Sequence, residues 1–192
     1  MREHGVLRRA LLVYKEIAPK LKDNPTAAVT GALQKTATLF RSFGEEYHEK
    51  ALEEVHIFPA LKKSSAVVSS LAAALAKQHE RGRQITDYLL AATHQGTIEG
   101  AKGVEVARVL ESFVLMYQNH AAREDTVLFP AWKQALPPGQ LAAMADTFED
   151  IEHEKFGRDG FKHAVSQIAD IETSLGLADI AQFTVQPPPQ VL

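Results

Sequence analysis

The sequence contains no cysteine. Disulfides, iron–sulfur clusters and thiolate zinc sites are thereby excluded from this chain, which leaves histidine and carboxylates as its strong metal ligands. The absence says little about compartment. No uninterrupted apolar run approaches the ~20 residues of a membrane span, and no signal peptide is visible. A basic excess is also missing. The formal net charge is −3 with histidine neutral, so nothing argues for nucleic acid or a membrane as a partner. No stretch alternates strictly between turn signals, so no strand is expected. What remains is 192 residues of ordinary globular composition, 45% hydrophobic and 23% charged, enough for one domain with a substantial core.

Helical periodicity fills most of that length. Leu7, Leu11, Tyr14, Ala18 and Leu21 repeat at three- and four-residue steps over residues 2–22. Asp23-Asn24-Pro25 stops this helix. A second runs from about Thr26 to Leu61. A third, with Ser65 or a neighbour as its cap, extends to about His94. A fourth runs from about Glu99 to Ala135, ended by Pro137-Pro138-Gly139. Weaker helical pattern covers Gln140 to Phe156 and Phe161 to Leu175, on either side of a Gly157…Gly160 break. An extended tail holds Pro187-Pro188-Pro189. The expected fold is all-α: an antiparallel up-and-down four-helix bundle with additional C-terminal helices packed outside it. The bundle would span residues 1–136, the helical extension 137–182 and the tail 183–192.

One stretch occurs twice. Residues 48–60 and 120–132 each hold a His, then an acidic pair, then Phe-Pro-Ala. The pairs are Glu53-Glu54 and Glu124-Asp125; the Phe-Pro steps are Phe58-Pro59 and Phe129-Pro130. His120 and Glu124 stand one turn apart on one helix face. At about 100° per residue, Val109, Phe113, Met116, Val127 and Ala131 fall within about 40° of that direction. The face is apolar, and a carboxylate pointing into it must be paired, protonated or bound to a metal. Each long helix also carries a histidine with apolar neighbours at helical spacing: His4, His48, His79 and His120. Taken singly, each would read as a solvated or hydrogen-bonded side chain. Together with Glu53 and Glu124 they make a six-residue metal-ligand set. Four imidazoles and two carboxylates are too many for one tetrahedral zinc. They suit two ions bridged by carboxylates, and such mixed donors favour iron or manganese.

The chain resembles the hemerythrin-like, or HHE cation-binding, family over about residues 2–135. Glu3-His4-Gly5, the His48…Glu53-Glu54…Phe58-Pro59 stretch, Gln78-His79 and the His120…Glu124-Asp125…Phe129-Pro130 stretch carry the match. The resemblance implies a four-helix bundle holding two iron ions, bridged by an oxo or hydroxo oxygen or by carboxylates, with manganese or zinc as possible substitutes. It implies binding of, or reaction with, a small partner such as O2, peroxide or NO, in a redox, sensing or detoxifying role. Iron storage, or a metal-responsive binding module without turnover, is the alternative. No catalytic residue is assigned. The Phe148-Glu149-Asp150-Ile151-Glu152…Phe156-Gly157…Gly160-Phe161 stretch resembles a C-terminal extension of some bacterial members and has no role derivable from sequence. The expected compartment is the cytoplasm. His4 lies where a helix end should fray, which suggests a piece of a longer natural chain; a leader removed from it would make the periplasm the alternative.

Two departures from the family pattern matter. Oxygen-carrying members place a further histidine four residues after that of the third helix; here Arg83 stands there, so a fifth imidazole is missing unless His56, His94 or His153 supplies it. Secondly, His48 precedes Glu53 by five residues rather than four. A π-bulge would absorb the extra residue and bring both to one face; Glu49 is the competing ligand. Asp125 likewise competes with Glu124. The Glu53-x-x-His56 pair fits a ferritin-like signature, but no good second copy exists. His56, His153 and His163 read as surface residues. Arg83 reads as a surface arginine, with pairing to a glutamate or lining of the access path as alternatives. Tyr47, Tyr117 and Trp132 read as core aromatics, and Tyr117, one turn before His120, could hydrogen-bond near the site.

Overall fold

A computed structural model describes residues 2–189, and among these the only regular elements are helical. Helix α1 is Glu3–Asp23. Helix α2 spans residues 27–60: it is α-helical over Ala27–Leu39, π-helical over Phe40–Ile57 and α-helical again at Phe58–Ala60. Helix α3 is Ala66–Thr93. Helix α4 spans residues 100–135, with a π segment at Glu124–Leu128. The C-terminal hairpin consists of α5 (Pro138–Phe156) and α6 (Gly160–Ser174), followed by a 3₁₀ turn at Ile180–Phe183. No helix is long and apolar enough to cross a membrane among the described residues.

The starts of α2 and α3 follow capping chemistry. Thr26 Oγ1 accepts from Val29 N–H at 3.2 Å and Ser65 Oγ from Val68 N–H at 3.4 Å, each satisfying a donor that the first helical turn leaves unpaired. Helix α1 packs against α4 and α2, α2 against α3, and α3 against α4, so the four long helices close around one interior. Tyr14, Phe40, Phe113 and Tyr117 interlock there, with ring centroids 4.6–6.2 Å apart. Each contributes roughly 1.5–3 kcal/mol through burial. The α5–α6 hairpin lies outside this ring: α6 packs on α1 and α2, and α5 on the π segment of α2.

Candidate metal centre

Both π segments precede a proline. Proline supplies no N–H, and its ring crowds the carbonyl four residues back. Widening the turn before it accommodates both defects. In each repeat the phenylalanine N–H then bonds five residues back, Phe58 to Glu53 O and Phe129 to Glu124 O. The repeated Phe-Pro step thus sets the backbone geometry of the residue that carries each inward carboxylate. In α2 the i→i+5 register places His48 and Glu53 one turn apart, with His48 Nε2 3.3 Å from Glu53 Oε1. The irregularity expected between these residues is present and runs well beyond them. In α4 the same widening shifts the apolar stripe by one position: Leu128 is fully buried, whereas Val127, expected on the inward face, is 38% exposed.

All six sequence-derived candidates, His4, His48, Glu53, His79, His120 and Glu124, are buried and converge. They form two overlapping groups of four. His4, His48, Glu53 and Glu124 make one; Glu53, His79, His120 and Glu124 make the other; within each, one ligand atom per residue lies within 4.8 Å of the rest. The two carboxylates are common to both. His4 Nε2 stands 3.3 Å from Glu124 Oε2, His79 Nε2 3.3 Å from Glu53 Oε2, and His120 Nε2 2.9 Å from Glu124 Oε1.

The outer ring nitrogens decide what the inner ones present. His4 Nδ1 meets Asp125 Oδ1 at 2.9 Å, His79 Nδ1 meets Glu54 Oε1 at 3.0 Å, and His120 Nδ1 meets Gln78 Oε1 at 2.9 Å. Each partner is an acceptor, so in the neutral ring the proton belongs on Nδ1 and Nε2 keeps a bare lone pair. His79 Nε2 and His120 Nε2 then face one another at 3.1 Å. Both Glu53 oxygens, Glu124 Oε1 and both His48 nitrogens are buried without a hydrogen-bond partner. Lone pairs converging in this way are repulsive unless a positive charge, a proton or a metal cation, sits among them. Several kcal/mol per buried ion are at stake, so the donor set fits a metal cation.

The titration behaviour has the same origin. Burial pushes the His48 imidazolium down, but Glu53 first and then Glu124 and Glu3 pull it up to about 9. Burial opposes ionisation of Glu124 as well, yet His120, His4 and His79 hold it well below the usual carboxylate range. Glu54, hydrogen-bonded to His79 and then to Arg83, is drawn down to about 2. The cluster holds its carboxylates ionised and attracts positive charge.

Sequence reasoning missed the role of the second acid of each pair, weighing Asp125 only as a rival ligand to Glu124 and giving Glu54 no role. Glu53 and Glu124 point inward, while Glu54 and Asp125 orient an imidazole of a neighbouring helix, Glu54 on α3 and Asp125 on α1. The doubling of the acid in both repeats was the signal. Asp125 is therefore a buttress beneath His4, further held by Arg8. Glu49 lies outside both groups of four: its Oε1 accepts from Tyr117 OH at 2.7 Å, and Oε2 is 3.6 Å from Arg83. Burial raises it to about 7. Arg83 is no plain surface residue, since its Nη1 donates to Glu54 at 2.8 Å. His56, His94 and His153 join neither group, so none supplies a fifth imidazole among the described residues. A small cavity touches His4, His48, Glu49, Tyr117, His120 and Glu124, with about 10 Å3 open to the centre of a water molecule. Gly82 makes this side possible, because a Cβ there would stand 2.0 Å from the Tyr117 hydroxyl.

Fold and site together define a helical bundle with an interior built to bind a metal cation. The model of the hemerythrin HHE cation-binding domain matches residues 1–132, and the chain belongs to that family. Similar proteins come from Mycobacterium bovis and two strains of Mycobacterium tuberculosis. Each is 40% identical over 185 residues, covering 96% of this chain and 71% of the relative, and each is described as uncharacterized. No solved structure matches significantly.

Proposed function

We propose that the protein is a non-haem di-iron protein whose four long helices form an antiparallel up-and-down bundle, and that it binds or reacts with O2, peroxide or NO. The observation that carries this reading is the pair of overlapping groups, each of two histidines and two carboxylates, that share Glu53 and Glu124. In it, His4 and His48 would hold one ion and His79 and His120 the other, with the two glutamates available to both. Iron bound there would supply redox change and Lewis acidity. Asp125, Glu54 and Gln78 fix the imidazoles that would present Nε2 to such ions. Phe58, stacked 5.3 Å from His79, and Phe129, 5.4 Å from His4, exclude water. The cavity beside the site admits one small molecule and places it against Tyr117 and Glu49, a donor–acceptor pair able to hold a proton. Storage is the weaker reading, because the buried histidines and shared glutamates gather into two groups of four. Elemental analysis of protein expressed with iron is expected to give about two metal ions per chain. A ratio near zero, with helicity unchanged by chelators, would remove the di-iron reading.

A pH signature accompanies it. In the metal-free protein His48 is raised from 6.5 to about 9, so its contribution to stability is fully present below pH 6.5 and is lost as pH rises through about 9. With metal bound the imidazole is neutral and ligating, and its proton has already left. Chelated protein is therefore expected to lose thermal stability from pH 6.5 to 9 while the loaded protein does not, and metal affinity should climb over the same interval. Parallel melting curves for the two forms across that range would contradict this.

A further inference from the structure

The stretch around Glu152, Phe156-Gly157 and Gly160-Phe161 has no part in the metal centre, yet it carries a buried carboxylate. We propose that the α5–α6 hairpin is a clamp that holds His4 and His48 in register, with Glu152 as its positioning residue. This inference rests on the two-position metal site proposed above.

Helix α1 begins at Glu3 without a side-chain cap. Its first turn should fray, because a helix start leaves N–H groups without i−4 carbonyls, but that turn carries His4. Glu152 reaches in from α5. Its Oε2 accepts from Arg2 Nη2 at 2.6 Å and from Tyr47 OH at 3.3 Å, and its Oε1 accepts from Phe161 N–H at 2.8 Å. Arg2 lies two residues before His4, and Tyr47 immediately precedes His48. One carboxylate thus ties side chains that flank both histidines of one metal position, and none of its hydrogen bonds goes to α3 or α4, which carry the other two.

The neighbouring motif residues complete the device. The Arg2 guanidinium lies 4.7 Å over the Phe161 ring. Phe156 packs on Tyr47 at 5.2 Å and on Phe43 at 5.9 Å. The reversal between α5 and α6 uses Gly157 at φ 72°. A Cβ on Gly160 would stand 2.8 Å from Phe156 Cβ and 3.1 Å from Glu152 Cγ. Stability alone does not call for the carboxylate, since replacing a buried ion pair by apolar side chains is often neutral or favourable. Orientation does, because loss of a group that orients a metal ligand typically lowers metal affinity about 10–100-fold.

Cobalt(II) titration of metal-free protein, followed by visible absorption, tests the clamp. Wild type is expected to bind two equivalents. In Glu152→Ala one equivalent should keep wild-type affinity and the other weaken about tenfold or more. Glu152→Gln keeps one acceptor oxygen for Phe161 N–H but turns an NH2 toward Arg2 and Tyr47, so it should recover only part of the loss. Arg2→Ala gives the same split should Glu152→Ala not fold, since the Arg2 side chain is 56% exposed. Arg9→Ala is the control: it removes the 2.9 Å bond to Glu172 that also joins α1 to α6, and both equivalents should bind normally. Equal weakening of both equivalents, no weakening, or the same split in Arg9→Ala would overturn the clamp while leaving the metal site standing. Wild type taking up no cobalt would instead overturn the metal site, and the clamp with it.

Discussion

Alanine at His79 or at His120 is expected to strip the protein of metal, whereas alanine at His163 leaves metal content unchanged. His79 and His120 come from different helices, yet their Nε2 atoms stand 3.1 Å apart beside Glu53 and Glu124. Each is aimed by its own acceptor, Glu54 for His79 and Gln78 for His120. Truncating either removes one of four donors from a position and leaves its acceptor without an imidazole to orient. Loss of an orienting group alone lowers affinity roughly 10–100-fold, so loss of a ligand should exceed that. The remaining position should weaken as well, because Glu53 and Glu124 belong to both groups and would be left under-neutralised. His163 is exposed on α6 and touches none of this. Metal analysis after desalting, with circular dichroism to verify the fold, separates the cases; equal retention in all three variants would exclude these histidines as ligands.

The inward residues were legible in the sequence because the chemistry repeats. Two His…acid-acid…Phe-Pro stretches on an apolar helical face leave few meanings for the first acid of each pair. The unequal spacing was legible too: five residues from His48 to Glu53 require a wider turn, and the proline beyond supplies a reason for one. What periodicity could not reveal were contacts between helices. Whether Glu49 or His48 points inward depends on a register that a regular wheel misplaces, and the same error put Val127 rather than Leu128 in the core. Arg83 looked like a surface residue because its partner, Glu54, is 29 positions away. Gly82 carried no signal at all, since its role is defined by the Tyr117 hydroxyl arriving from α4. Glu152 was visible within a motif, but its meaning required α1, α2 and α6 to be assembled around it.

Reduced, iron-loaded protein exposed to air is expected to oxidise and stay oxidised when oxygen is removed. Reversible carriage needs one ion capped by imidazoles and the other with a single vacancy that takes up oxygen and gives it back. Here the candidate ligands divide evenly, two histidines to each position with two shared carboxylates. The residue where a fifth imidazole would stand, Arg83, is paired with Glu54 and has donors only. One position is thus an imidazole short of what a carrier requires. The cavity beside them is also lined by Tyr117 and Glu49. There the Tyr117 hydroxyl donates to Glu49 Oε1 at 2.7 Å, which places a proton donor at that wall. A proton source there favours reduction of oxygen over its release. The measurement is to cycle reduced protein between oxygen and argon while following the near-ultraviolet charge-transfer band. Full return of the reduced spectrum over several cycles would refute the expectation. If the oxidised band persists, peroxide consumption should follow. Arg83→Ala should change it only indirectly, through looser orientation of His79 by Glu54, whereas Tyr117→Phe, which removes the hydroxyl from the cavity wall, should slow it more.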